Sequence, residues 1–223
     1  MKRSKISRRI GAYFDKVSAQ PNHRYRSWEH CYQFFRSRSR DEILSTLEMA
    51  ALQLGFYLAS WGMYRGSGFL LHRDYTVHKR TVEALLNERF LELWEHEIGT
   101  DIGDSKYVPL VLEAATAVRE SYRSLGEASD TLVTKVLLGT LACIPACDRF
   151  FKEGLRNSGL PYAYVNTAFL RRMVDFCAEH DGELRREQTR IYSASGAYYP
   201  MMKLVDMYFW QIGFEAAGKP AEV

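Results

Sequence analysis

Lys135 and Asp148 are charged residues within a strongly apolar stretch of the chain that runs from Leu132 to Phe151. Burial disfavours charge, so it raises the pKa of a carboxyl group and lowers that of an amine. Lys135 and Asp148 are therefore candidate catalytic residues, Asp148 as a general base and Lys135 as a nucleophile or phosphate ligand. A structural interpretation stays open beside this one. In it the Lys135 ammonium group reaches the surface, and Asp148 caps the helix that follows.

Arg65 lies in a glycine-rich segment, WGMYRGSG, directly after an apolar helix. Glycines let the backbone approach a ligand closely, and a guanidinium group binds phosphate or carboxylate through two parallel hydrogen bonds. Arg65 is thus a third candidate catalytic residue, with a phosphate as its partner. The alternative is a helix end whose last carbonyl groups Arg65 satisfies.

The first 40 residues are rich in basic side chains. Residues 1–40 hold eleven Lys or Arg and two acidic residues, although the whole chain has a net charge of only +3. Such a segment binds a polyanion or lies against the acidic remainder of its own chain, and both interpretations stay open. Interleaved aromatic residues, such as Tyr25 and Trp28, would add stacking on bases to contacts with phosphates. The candidate nucleic-acid-binding residues are Arg24, Arg26, Arg36, Arg38 and Arg40.

Four residues have spacings compatible with a zinc site. Cys143 and Cys147 are four apart, and Cys177 and His180 are three apart, so the four would supply a Cys₃His ligand set. Pro145 interrupts the first pair, and free cysteines are commonly buried and inert. We predict no metal site and no cofactor, and leave open whether this set binds a metal.

Helical periodicity dominates the chain and predicts an all-α protein of about eight or more helices. We expect a single domain that spans residues 1–223 and begins with the basic segment 1–40. A soft internal boundary near 99–106 leaves open a division into two lobes around a cleft. One helix is predicted from Asp41 to the glycines near Gly62 and another over 76–98. The sequence LQLGFYLASWGM in the first of them is apolar nearly all round, which predicts the central buried helix.

Several classes of protein are disfavoured by what the sequence lacks. No segment approaches the ~20 apolar residues of a membrane span. The basic N-terminus has no apolar region of the secretory type, so we expect a soluble cytoplasmic protein with reduced cysteines. A Walker loop, a dinucleotide-binding glycine fingerprint, a His-Glu-x-x-His motif and a Gly-x-Ser-x-Gly motif are all absent. Their absence argues against P-loop nucleotide hydrolysis, Rossmann oxidoreduction, zincin proteolysis and serine hydrolysis of the α/β type.

Two segments carry a resemblance to known proteins. The pattern Thr134-Lys135, an apolar run, Ile144-Pro145 and then Asp148 resembles one found in relatives of the helix-hairpin-helix DNA glycosylase superfold. The segment LGFYLASWGMYRGSGFLL is similar to one that accompanies this pattern in functionally uncharacterised bacterial proteins. The resemblance covers about 35 residues and would place Asp148 in a base-excision pocket. The Gly-rich hairpin that grips DNA in the glycosylases is missing before Lys135, so the resemblance implies a shared helical scaffold.

These observations lead to three hypotheses of function. The leading one is a bacterial protein that binds or processes nucleic acid, or binds another polyanion, through the basic segment and a cleft near Arg65, Lys135 and Asp148. The first alternative is a non-enzymatic interaction module, with a homo-oligomer as one form, whose exposed aromatics lie near Tyr198, Tyr199 and Trp210. The second is a metal-independent ribonuclease using Arg65 and His72. Their spacing resembles that of the nucleotide-binding ribonucleases of higher eukaryotes and prokaryotes, in which the His transfers protons.

Overall fold

The computed structural model describes residues 4–66 and 68–218, apart from the side chain of Ile102. Within those ranges the chain forms twelve α-helices, several short 3₁₀ turns and no strand, which confirms the predicted all-α single domain. The helices are α1 (Lys5–Ala19), α2 (Arg26–Arg36), α3 (Arg40–Ser45), α4 (Leu47–Ser60), α5 (Lys79–Leu85), α6 (Leu91–Glu95), α7 (Val108–Tyr122), α8 (Asp130–Thr140), α9 (Arg149–Asn157), α10 (Thr167–Glu179), α11 (Asp181–Ser195) and α12 (Met201–Ala216).

The last helix, α12, is the centre of the fold. Every residue from Met201 to Phe214 is buried, and α12 packs on α9, α1, α11 and α10. The prediction that the segment from Leu52 to Met63 forms the central helix is wrong, because α4 packs on its neighbours with one face only. Its other face exposes Met49, Leu52 and Phe56, with Phe56 57% exposed.

Two glycines bring the backbones of α9 and α12 together. A Cβ atom at Gly154 would lie 1.8 Å from the Phe209 carbonyl oxygen, and one at Gly213 would lie 1.9 Å from the Phe150 carbonyl oxygen. Both contacts are with backbone atoms, which cannot move aside as a side chain does. The approach of α9 to α12 therefore requires glycine at both positions.

Two long helices predicted from the sequence are interrupted in the structure. The helix expected from Asp41 ends at Ser45, and α4 begins at Leu47 because the backbone of Thr46 leaves the helical region, with φ −120° and ψ 35°. The helix predicted over 76–98 is divided into α5, a 3₁₀ turn and α6. The Asn87 side chain accepts from the Arg89 N–H there and replaces a helical hydrogen bond.

The expected aromatic contact surface near the C-terminus is not formed. Tyr199 is 1% and Trp210 3% exposed, and only Tyr198 of the three reaches solvent. Trp210 packs against Tyr13, Tyr25, Trp61, Phe150 and Phe214 in the core. None of the described helices is long and apolar enough to cross a membrane.

Candidate anion-binding pocket

A pocket of about 340 Å³ lies where α2 and α3 meet the segment around α6. This volume is within the range of small-molecule sites, which measure roughly 300–1,000 Å³. The pocket wall includes three of the predicted nucleic-acid-binding arginines. It also includes residues that the sequence analysis missed. The wall contains Tyr32, Phe35, Arg36, Arg38, Ser39, Arg40, Ile43, Leu86, Leu91, Leu93, Trp94, Glu95, His96, Glu97, Thr140 and Leu141.

Arg38 and Arg40 are held by backbone carbonyl groups and not by acids. Arg38 Nη1 donates to the Phe34 carbonyl at 3.0 Å, and its guanidinium group lies 4.1 Å from the centre of the Phe34 ring. Arg40 Nε donates to the Leu86 carbonyl at 2.6 Å, and its nearest carboxylate in an ion pair is the exposed Asp41, at 4.0 Å. Carbonyl contacts orient a guanidinium group without neutralising its charge, so both side chains keep their attraction for an anion.

Arg36 and Tyr32 lie on the same wall of the pocket. Burial raises the pKa of Tyr32 well above its ordinary value, Glu97 raises it further, and the neighbouring Arg36 guanidinium opposes the rise. The phenol therefore stays neutral and is a hydrogen-bond donor at neutral pH. Beside this polar group the wall is apolar, with Phe35, Leu91 and Trp94 among its members. The pocket thus offers cationic groups next to an apolar surface.

His96, one of the residues that line the pocket, pairs with a buried aspartate. His96 Nε2 lies 2.6 Å from Asp104 Oδ1, and Asp104 is 1% exposed. Asp104 Oδ2 accepts hydrogen bonds from the backbone N–H groups of Gly99, Thr100 and Asp101. An ionised carboxylate only accepts hydrogen bonds, so the proton of this contact lies on His96 Nε2.

The ring of His96 is fixed in a second way. It stacks on Tyr107 with ring centres 4.5 Å apart and an angle of 28° between the planes. Among residues 4–66 and 68–218, Nδ1 of His96 has no hydrogen-bond partner. An oriented imidazole with one vacant nitrogen at a pocket wall is able to bind a ligand or transfer a proton.

The acidic residues of the pocket differ in their partners. Glu97 Oε1 accepts from the Met201 N–H at 2.8 Å, and its Oε2 accepts from the Tyr198 hydroxyl. Burial and this hydrogen bond raise the pKa of Tyr198 to about 12. Glu97 is therefore committed to joining the pocket segment to the start of α12, whereas Glu95 is exposed.

The two remaining candidate nucleic-acid-binding arginines lie at the other end of α2. Arg26 pairs with the buried Glu29 at 3.2 Å. Arg24 donates to the Ser60 carbonyl at 3.3 Å, and its guanidinium group lies over the Tyr25 and Trp61 rings. Ten residues of helix separate Arg26 from Arg36, or about 15 Å at the ordinary rise per residue. The five arginines therefore form two groups.

Lys135 and Asp148, predicted as catalytic, are brought together inside the protein. Lys135 Nζ donates to Asp148 Oδ2 at 3.3 Å, and Lys135 is 2% exposed. Asp148 Oδ1 accepts the N–H groups of Phe150 and Phe151, so Asp148 also caps α9. No pocket described here opens onto this pair, and its contacts are those of a structural link between α8 and α9.

A second buried ion pair adjoins the first. Lys203 Nζ donates to Asp206 Oδ2 at 2.7 Å and to the Tyr13 hydroxyl at 3.3 Å, while Asp206 Oδ1 accepts the Ala146 N–H. Burial lowers the pKa of Lys203 and raises that of Asp206, and each charge partly offsets the effect of burial on the other. The Lys203 ammonium group also lies 5.0 Å from the centre of the Trp28 ring.

Arg65 is exposed, and its guanidinium group folds back over Gly62. Among the described residues no hydrogen bond or ion pair joins Arg65 to Lys135, Asp148 or His72. The geometry thus assembles the Lys135–Asp148 part of the predicted site without Arg65.

The cysteines do not converge on a metal-binding arrangement. Cys31, Cys143, Cys147 and Cys177 are all free and buried, and burial raises the pKa of each thiol, that of Cys143 to about 12. No group of three or more His, Cys, Asp or Glu residues in the described part of the chain is placed to hold a metal ion.

The pairing of His96 with Asp104 is the feature that sequence reasoning missed. The signal for it is short: HEIGTDIGD contains a histidine, two glycines and two aspartates in the clearest loop of the chain. In the structure this loop turns at Gly99, which has φ +98°, and Asp104 gathers three N–H groups of the turn. Comparison with protein-family models, curated proteins and solved structures gave no match for this chain.

Proposed function

We propose that this protein binds a phosphate-bearing ligand of small-molecule size in the pocket formed by α2, α3 and the α6 segment. The observation that carries the proposal is the placement of Arg36, Arg38 and Arg40 in one pocket lining, which holds these three arginines against two glutamates, Glu95 and Glu97. Guanidinium groups in excess over carboxylates beside an apolar surface bind an anion that carries an apolar or aromatic group.

The basic groups elsewhere provide a contrast that supports the choice of this pocket. Arg26 pairs with Glu29, and Arg9 pairs with Glu215 across the groove that also contains Lys5 and Arg8. Their charges are partly satisfied within the chain. The pocket arginines are oriented by carbonyl groups instead, which leaves their charge for a ligand.

A ligand that carries both a phosphate and an aromatic group has two sources, a free nucleotide and a single strand of nucleic acid. A pocket of about 340 Å³ takes one nucleotide and is too small for a duplex. The partly exposed Trp94 and the exposed Leu91 provide apolar and aromatic surface for a base. The nucleic-acid hypothesis is thereby narrowed to a strand that places one nucleotide in the pocket.

The experiment compares binding of adenosine monophosphate, short labelled single-stranded DNA and RNA, and a labelled duplex. Calorimetry serves for the nucleotide and fluorescence anisotropy for the strands. The test variant is Arg36→Ala/Arg38→Ala/Arg40→Ala. The matched control is Arg123→Ala/Arg156→Ala/Arg171→Ala, which removes the same charge from exposed positions outside the pocket.

We expect the test variant to lose binding by tenfold or more while the control keeps it. For a single strand held by three arginines, log K against log salt should have a slope of about −2, which the test variant abolishes. A free nucleotide should show a weaker dependence on salt. Equal binding by the test variant, or no binding of any of these ligands to the wild type at low salt, would refute the proposal.

A second candidate function is self-association through α4. Met49, Leu52 and Phe56 recur at helical spacing and are all exposed, with the uncharged Gln53 among them. These apolar side chains would bury one another across a two-fold axis, with Glu48 and Arg38 as the adjacent charged groups. Sedimentation velocity over a range of concentrations tests this: a dimer that Phe56→Glu dissociates supports it, and a monomer at all concentrations excludes it.

A further inference from the structure

His96 lines the pocket in which the arginines lie, and its Nδ1 is the ring nitrogen without a hydrogen-bond partner among the described residues. Its Nε2 donates to Asp104 at 2.6 Å and its ring plane rests on Tyr107. Since both of these contacts hold the ring, rotation to present another atom would break them. Nδ1 is therefore the ring nitrogen that His96 can offer to a ligand in the pocket that it lines.

The protonation state of that nitrogen determines whether an anion is accepted there. With the proton on Nε2, the neutral ring presents a lone pair at Nδ1, which repels the oxygen atoms of a phosphate. The protonated ring presents an N–H group instead and adds a positive charge. An anion consequently has a higher affinity for the protonated ring and shifts the equilibrium towards it.

The charged groups around His96 are distributed over three elements. Glu95 and Glu97 lie on its own segment, and Glu97 is occupied by Tyr198 and the Met201 N–H. Asp104 faces Nε2 from the following turn, and Lys106 of that turn lies 4.8 Å from the ring centre of Tyr107. The group from α2 and α3 consists of Arg36, Arg38 and Arg40.

Resting on the phosphate binding proposed above, we infer that His96 contacts the bound phosphate through a protonated Nδ1, so that the pocket takes up one proton when its ligand binds. Asp104 is the positioning residue, since it fixes the ring and keeps the other proton on Nε2. The ligand class follows: an anion with several oxygen acceptors, such as a phosphate monoester, uses the arginines and His96 together. At slightly acidic pH the ligand therefore binds more strongly than it would if only the arginines contacted it.

Nitrogen-15 NMR of the histidine rings tests this in the intact protein. His96→Gln identifies the His96 signals, and the exposed His72 is an internal control. In the free protein at alkaline pH we expect His96 as the neutral form with its proton on Nε2. Adding adenosine monophosphate near neutral pH should convert His96, and not His72, to the doubly protonated ring.

Affinity measured against pH gives a second readout. The titration of the ligand itself is common to the wild type and His96→Gln, so their difference isolates His96. We expect the wild type to lose affinity relative to the variant as the pH rises, by up to about tenfold per pH unit, the limit for one proton.

The outcomes separate this inference from the proposed function. Binding that depends on the three arginines but leaves His96 neutral, or equal pH dependence in both proteins, overturns the inference alone. A free protein whose neutral His96 carries its proton on Nδ1 overturns it without any ligand. Absence of nucleotide binding in the wild type overturns the proposed function and the inference with it.

Discussion

His78 is a fully buried histidine whose two ring nitrogens both contact tyrosine hydroxyls. Nε2 lies 2.7 Å from the Tyr64 hydroxyl, and Nδ1 lies 2.6 Å from the Tyr122 hydroxyl. Burial lowers the pKa of His78 to about 4, while Asp74 acts weakly in the opposite direction. The neutral ring accepts from one hydroxyl and donates to the other, an arrangement that a protonated ring with two donors would break.

This histidine makes the free energy of unfolding depend on pH. The unfolded chain binds a proton at His78 below about pH 6.5, whereas the folded chain does so only near pH 4, so stability falls as the pH is lowered between these values. The loss at pH 4 is about 3 kcal/mol relative to neutral pH. Urea denaturation across this range should show His78→Gln with a flatter pH dependence than the wild type. Exposed His72→Gln is the control, and identical curves for the two variants would show that His78 does not contribute.

Lys203 and Asp206 form a buried ion pair, so we expect the effects of their substitutions on the free energy of unfolding to be strongly coupled. Lys203→Met leaves the Asp206 carboxylate buried without its cation and should cost about 3–5 kcal/mol of stability. Adding Asp206→Asn removes the unpaired charge and keeps the acceptor for the Ala146 N–H. The double variant should therefore be more stable than Lys203→Met, as measured by guanidinium denaturation. If the two losses simply add, the pair has no net interaction.

At the scale of elements, α9 and α12 pack closely because Gly154 and Gly213 each have a hydrogen atom where other residues have a Cβ atom. Gly154→Ala and Gly213→Ala each place a methyl group against a backbone carbonyl, so each should lower the free energy of unfolding by about 3 kcal/mol or more. Gly182→Ala is the matched control, because a Cβ there meets only the end of Arg186 at 3.6 Å. It should change stability by less than about 1 kcal/mol, in the stabilising direction. Denaturation curves for the three variants check this, and three similar values would contradict the close approach.

The elements show which parts of the fold the sequence determines locally. Helix starts with strong capping residues are the best predicted: Asp148 caps α9, as one of the two interpretations of this residue had it, and Ser129 caps α8 through the Leu132 N–H. The interruption at Asn87 was missed because it depends on one polar side chain bonding to a nearby backbone N–H group, and the one at Thr46 because it lies in the backbone angles of a single residue. Propensity does not distinguish such a residue from one that points into solvent.

The identity of the central helix shows where local pattern fails. The sequence of α4 is apolar nearly all round, yet one face of the helix is exposed and meets no other described segment of the chain. α12 carries Lys203, Asp206 and Gln211 and is nevertheless buried throughout. Lys203 and Asp206 pair with each other. They also form hydrogen bonds with the Tyr13 hydroxyl and the Ala146 N–H, which lie up to 190 residues away in the sequence. Only the tertiary structure reveals those partners.

The candidate site is likewise formed by segments that are distant in sequence, from Tyr32 to Leu141. Arg36, Arg38 and Arg40 were predicted from their composition and local spacing, and they do lie together. His96 joins them from about 60 residues further along, and Thr140 and Leu141 at the end of α8 complete the wall. A charge pattern thus identifies the basic side of the pocket, while the histidine and the apolar side depend on how the helices pack.

Because the pocket connects segments distant in sequence, an occupied pocket should stabilise the complete fold. A ligand present at about 100 times its dissociation constant adds about 2.7 kcal/mol to the free energy of unfolding. For a chain of 223 residues this raises the Tm by roughly 5–10 °C. Scanning calorimetry with adenosine monophosphate should show that rise for the wild type and for Arg123→Ala/Arg156→Ala/Arg171→Ala. It should be about half as large or smaller for Arg36→Ala/Arg38→Ala/Arg40→Ala, since a tenfold loss of affinity leaves the ligand at about 10 times its dissociation constant, which adds only about 1.4 kcal/mol; an equal rise in all three would place the ligand outside the pocket.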